Sequence, residues 1–122
     1  MRKSPMVKRF RLDASEIRQI VTGQGFCMAS DHITVEGKRV GFMYRQKPSD
    51  ISDSGWVFLS GEESQDYLDD VSNLAFYEVN TIANYDPSII PLLTAPFGSA
   101  YGRDPDAPGF HLEQMPHHLD NH

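Results

Sequence analysis

Asn80-Thr81-Ile82-Ala83-Asn84-Tyr85-Asp86-Pro87-Ser88-Ile89-Ile90-Pro91 is the stretch on which the fold turns. Its first half is apolar and β-branched enough to read as an extended segment. Asp86 directly before Pro87 is the pairing of N-cap and first helical residue that opens a helix. Pro91 stands where an interior residue would bond back to the carbonyl of Pro87, so that helix is limited to a turn or two. Gly98-Ser99-Ala100-Tyr101 then supplies small residues that permit close backbone approach and a last short strand. The polar side chains of Asn80, Asn84, Tyr85 and Asp86 have a plain task here, which is to satisfy backbone groups around the cap.

On the N-terminal side, Gly55 admits the chain to Trp56-Val57-Phe58-Leu59, a strand dense enough in apolar groups to be buried. Two further apolar runs, 25–30 and 39–45, flank Thr34 and Val35, which favour extended backbone, and Glu36-Gly37-Lys38, which supplies a turn; together they predict a β-meander. Asp13 with Glu16 forms a capping box ahead of Ile17, Ile20 and Val21, predicting a helix from about Ala14 to Thr22. Met6 to Leu12 is read as an edge strand, and Asn73 to Ala83 as another extended segment. Ser60 with Glu63 forms a second box, predicting a helix that runs to about Asp70. The expectation is a single compact α+β domain: a mainly antiparallel sheet of about four to six strands with two or three short helices. Its parts are a basic N-terminal segment and short helix over 1–23, the domain proper over 24–103, and a Pro- and His-containing mobile tail over 104–122.

A chain of 122 residues has room for one core, burying ~65% of the surface its unfolded form exposes. The single cysteine, Cys27, excludes an intrachain disulfide and fits a small buried hydrophobe in a reducing compartment. With no apolar run long enough for a membrane span and no signal core, the expected location is the cytoplasm. The net charge of −6 is unevenly spread: from Pro48 onward there are thirteen acids and one Lys or Arg, Arg103. Such a surface repels nucleic acid and anionic membranes and attracts a basic protein, although acidity also simply keeps a protein in solution.

Catalytic signatures are thin. His32 beside Asp31 is a general-base pair without a nucleophile at a recognised spacing, and His111, His117, His118 and His122 sit in a tail with no prearranged support for a metal. Neither a phosphate-cradling glycine loop nor a nucleophile elbow occurs. No cofactor and no metal site are expected. The surface candidate is the acidic stretch Glu62, Glu63, Asp66, Asp69 and Asp70. Spaced four apart and crowded at a helix C-terminus, these carboxylates weaken their own helix, which favours a role toward a partner.

The runs Cys27-Met28-Ala29-Ser30-Asp31, Val40-Gly41-Phe42-Met43-Tyr44-Arg45, Ser54-Gly55-Trp56-Val57-Phe58-Leu59-Ser60-Gly61-Glu62-Glu63, Asn80 to Pro91 and Gly98-Ser99-Ala100-Tyr101 resemble a small bacterial family grouped with the immunity proteins of polymorphic toxin systems, as the thirty-third immunity type. The similarity spans about residues 24 to 103. It implies a non-catalytic protein that neutralises a toxin, possessed of no catalytic residues to carry over. In that setting Glu62, Glu63, Asp66, Asp69 and Asp70 would meet a basic toxin domain, with Tyr67 and Tyr85 as aromatic anchors. Gly55, Trp56, Ser60, Asn80, Asn84, Asp86, Pro87 and Gly98 would be structural. The alternatives are a small-molecule-binding or hydrolytic domain built on the Asn84-Tyr85-Asp86 cap, which requires a concave pocket beside it, and a homodimer in which the acidic helix meets a neighbour's basic segment.

Overall fold

The computed structural model describes residues 8–116. Its strands are β1 (Phe26–Ser30), β2 (Phe42–Arg45), β3 (Asp53–Leu59), β4 (Leu74–Glu78), β5 (Ala100–Gly102) and β6 (His111–Leu112), and its helices α1 (Asp31–Thr34), α2 (Gln65–Asp69) and α3 (Val79–Tyr85). Single 3-10 turns occupy Ala14–Glu16 and Val71–Asn73, and a two-turn 3-10 helix occupies Pro87–Leu92. The six strands make one sheet in the order β4-β1-β3-β2-β5-β6. All neighbours are antiparallel except β1 and β3, which run parallel. The α+β class and the strand number expected from sequence hold.

Strand alternation divides the side chains between two layers. Cys27, Met43, Trp56 and Phe58 point to one face, where Ile33 of α1, Val79 and Ile82 of α3, and Ile89 close the main core. Trp56 and Phe58 stack at 5.9 Å, and the Trp56 Nε1–H donates to the Leu93 carbonyl at 3.2 Å. Tyr44, Val57, Leu59 and Ala100 point to the other face, beneath Leu68 of α2 and Met115. Because both faces are covered, β3 is buried at every position from Ser54 to Leu59.

Several local expectations give way to tertiary contacts. The helix expected over 14–22 stops at Glu16, although its box forms, with the Asp13 N–H donating to Glu16 Oε1 at 2.8 Å. Beyond it the backbone is claimed from outside. Asn84 Oδ1 accepts from Arg18 N–H at 2.9 Å, Asn80 Oδ1 accepts from Ile20 and Val21, and both amide nitrogens donate to the Arg18 carbonyl. A helix would need those groups for itself. The β-meander is also corrected, because 31–34 is helical and β3 lies between β1 and β2. Asn80 to Tyr85 is α3 rather than an extended run, with Val79, Ile82 and Ala83 buried at helical spacing. Asp86 does cap the following turn, accepting from Ser88 N–H at 3.1 Å, and Pro91 lies inside it. Within the expected tail, residues 104–107 lie against Arg39, and β6 pairs with β5. The expected edge strand is not formed over its described part, 8–12. Met6, Val7 and the three histidines His117, His118 and His122 lie outside the described residues.

Candidate functional site

The second face of the sheet opens into a groove of about 1060 Å³. Phe42, Tyr44, Val57 and Leu59 form its floor. One wall is the approach to α2 and α2 itself, from Ser60 to Asp69; the other is the returning chain from Gly102 to Pro116. Gly102 makes room for the second wall, since a Cβ there would lie 2.8 Å from Cγ of Glu113.

The cations along the groove are already engaged. Lys38 Nζ meets Glu62 at 2.6 Å, and Arg39 Nη2 donates to the carbonyls of Asp104, Pro105 and Ala107. Arg103 is buried and pairs with Asp86. Among the acids, Glu113 faces His111 at 2.8 Å. Asp69 accepts only from Gln65 Nε2, at 2.9 Å, and the Asp104 carboxylate has no hydrogen-bond or ion-pair partner among the described residues. Arg39 has no carboxylate partner among the described residues, so the unpaired charges are Arg39 against Asp69 and Asp104, and their balance is negative.

Behind the first wall lies a tight polar network. The Ser60–Glu63 box closes a turn and not a helix: Glu63 Oε2 accepts from Ser60 N–H at 2.8 Å and from the Ser30 hydroxyl at 2.6 Å, while Oε1 accepts from Gly61 N–H. The helix starts at Gln65, with Ser64 as its cap. Glu62 therefore lies outside the helix and Asp70 at its boundary, so the like-charge spacing expected from sequence does not accumulate inside it. His32 Nδ1 sits 2.7 Å from the Ser60 hydroxyl and 3.4 Å from Glu63, and its ring lies against Tyr67 at 4.5 Å. In a hydrolytic triad the serine and the acid engage opposite ring nitrogens; here both face Nδ1, an arrangement suited to holding α1 against the turn. Burial, with the carboxylates of Asp31, Glu36 and Glu63, pushes the Tyr67 hydroxyl up to about 12, so it stays neutral.

Burial also pushes the Glu63 carboxyl up, but the Ser30 hydroxyl and the turn N–H groups outweigh it and hold it below its ordinary value of 4.5. Its contribution to stability is complete above that value and is lost as pH falls through the lower folded value. Glu63→Gln is expected to lower the melting temperature at neutral pH and to flatten its acid decline between about pH 5 and pH 2. An unchanged acid limb in calorimetry would overturn this.

Of the five acids expected to act together, one is turned inward and one caps a turn. Glu62, Asp66, Asp69 and Asp70 are exposed, but the Asp70 carboxylate caps the turn at Val71–Asn73, accepting from Ser72 N–H and hydroxyl. The Glu63 side chain is 1% exposed and turned inward. Tyr67 is half-buried, and Tyr85 spends its hydroxyl between Leu12 N–H and the Thr34 carbonyl. Asn84, Tyr85 and Asp86 do not line the groove. Sequence reasoning missed the second wall. Its signal was the return of apolar residues at Phe110 and Leu112 after Tyr101-Gly102.

The model of the Immunity protein Imm33 domain matches residues 27–112, more than two thirds of the chain. The chain belongs to the Imm33 immunity protein family. No curated protein and no solved structure matches it. The matched region begins in β1 and ends with β6, so the floor, the first wall and the second wall as far as Leu112 fall within the Imm33 domain. Immunity proteins bind toxins, and membership makes this an immunity-type protein. Among the described residues, no helix is long and apolar enough to cross a membrane, and no group of three His, Cys, Asp or Glu side chains is placed to hold a metal ion.

Proposed function

We propose that this Imm33 protein is a non-catalytic inhibitor of a basic bacterial toxin domain, acting in the cytoplasm through the acidic face around α2. The observation that carries the reading is the exposure of Asp66 and Asp69, which have no ion-pair partner among the described residues, in a segment, Asp50 to Asp86, that contains no Lys or Arg; Glu62 is exposed too but is paired with Lys38. An unscreened negative face accelerates encounter with a cationic partner, and a few aromatic or aliphatic contacts then fix it. Tyr67, within α2, is the aromatic group nearest those acids in sequence.

The test is rescue. The toxin domain encoded next to this chain is co-expressed with it, and growth is scored for the wild type and for Asp66→Lys with Asp69→Lys. Asp70 is left alone because its reversal would also break a cap. The double variant is expected to lose about tenfold or more in affinity, with an association rate that no longer falls as salt is added. Unchanged rescue and unchanged salt dependence would sink the acidic-face assignment.

A further inference from the structure

We propose that the groove between α2 and the returning segment 102–116 is the receptor for one cationic side chain, an arginine or lysine projecting from a loop of the toxin. This rests on the toxin-binding reading above and names the feature of the partner that the site would recognise. Arginine and lysine carry an apolar stem and a charged head, and they bury the first while keeping the second at a polar boundary. The groove has that order of parts. Its floor is apolar and aromatic, with Phe42 and Tyr44 tilted against each other at 5.7 Å. Its rim holds two carboxylates, Asp69 and Asp104, that no cation of the described chain neutralises.

Lys38 and Arg103 are paired with Glu62 and Asp86, whereas Arg39 donates to neutral carbonyls and keeps its positive charge, so the two free carboxylates outnumber the one uncompensated cation. An anionic ligand would meet both carboxylates and find only Arg39, already donating to three carbonyls, to receive it. A cationic ligand displaces only water from Asp69 and Asp104. A neutral apolar segment would use the floor and leave both rim carboxylates without a partner. A cationic side chain alone uses both parts.

Two measurements test the proposal on the full chain. In the first, amide chemical shifts are followed while a capped Gly-Arg-Gly peptide is added, with the citrulline peptide, equal in shape and uncharged, as control. Saturable shifts confined to the Phe42, Val57, Leu59 and Gly102 region, about tenfold weaker with citrulline and lost in Asp69→Asn with Asp104→Asn, support the groove. Equal binding of the two peptides, or shifts elsewhere, overturns it. Both substituted residues are exposed, and an unchanged melting temperature verifies the fold of the variant.

In the second, the same double variant is titrated with the neighbouring toxin domain. A loss of about tenfold in affinity supports the assignment of that side chain to the toxin, and an unchanged affinity overturns it. The two readings fail separately. If the wild type neither binds nor neutralises the toxin, toxin inhibition falls while a positive peptide result stands; if the wild type neutralises and the variant does so equally well, only the groove falls.

Discussion

Replacing Asp86 by alanine is expected to destabilise the protein by about 3–5 kcal/mol, measured by urea unfolding at neutral pH. One carboxylate serves four donors in three parts of the fold. Oδ1 accepts from the N–H and hydroxyl of Ser88, and Oδ2 accepts from Val40 N–H at 2.9 Å and from Arg103 Nη2. Arg103 also donates to the Val40 carbonyl, and its side chain is only 3% exposed. With alanine at 86 that guanidinium stays buried without a countercharge, and Val40 N–H loses its acceptor. Removing both charges, Asp86→Ala with Arg103→Met, is expected to recover part of the loss, because no ion is then left in the interior. Single variants within about 1 kcal/mol of the wild type would show that the pair does not hold the fold. Burial pushes the Asp86 carboxyl up, but Ser88, Val40 and Arg103 hold it below its usual range, so this contribution too is lost only on acidification.

The second large effect belongs to Gly55. Its φ is +86°, and a Cβ there would stand 2.1 Å from the carbonyl oxygen of Gln46. The position lies where the pairing of β3 with β1 slips: Phe26 aligns with Asp53 but Met28 with Val57. Extra residues must be absorbed there while Gln46 N–H still donates to the Gly55 carbonyl at 2.9 Å. Gly55→Ala combines left-handed strain with a backbone collision, and a cost of about 3 kcal/mol or more is expected, a fall in melting temperature of roughly 10 °C or more. Gly109→Ala, where a Cβ meets nothing within 4 Å, is the control and should shift stability by no more than about 0.5 kcal/mol. A Gly55→Ala melting temperature matching that of the control would sink the account.

Those two positions also mark how far the chain could be read in advance. Trp56 to Leu59 announced a buried strand because four large apolar groups in a row tolerate little else, and Asp86-Pro87 announced its turn because cap chemistry is local. The fate of 17–22 was not legible. Ile17, Ile20 and Val21 have helical spacing, and only Asn80 and Asn84, some sixty residues away, take the backbone bonds that a helix would use. The same asparagines hid α3, since β-branched and amide-bearing residues have poor helix propensity and the decisive term is burial of Val79, Ile82 and Ala83. At the candidate site, the acids of α2 were visible as composition. The groove was not, because its floor comes from β2 and β3 and its second wall from residues beyond 101, brought together by pairing that no local signal encodes.

The parallel contact between β1 and β3 governs the order in which the molecule can assemble. The β2–β3 hairpin needs only a short loop to close, whereas β1 must wait for a partner that begins at Asp53, and for another, β4, that begins at Leu74. On the ribosome the segment ahead of β1 waits longer still, until Asn84 has been made and can seize Arg18. The segment ahead of β1 is therefore fixed only after the greater part of the sheet that follows it has been made.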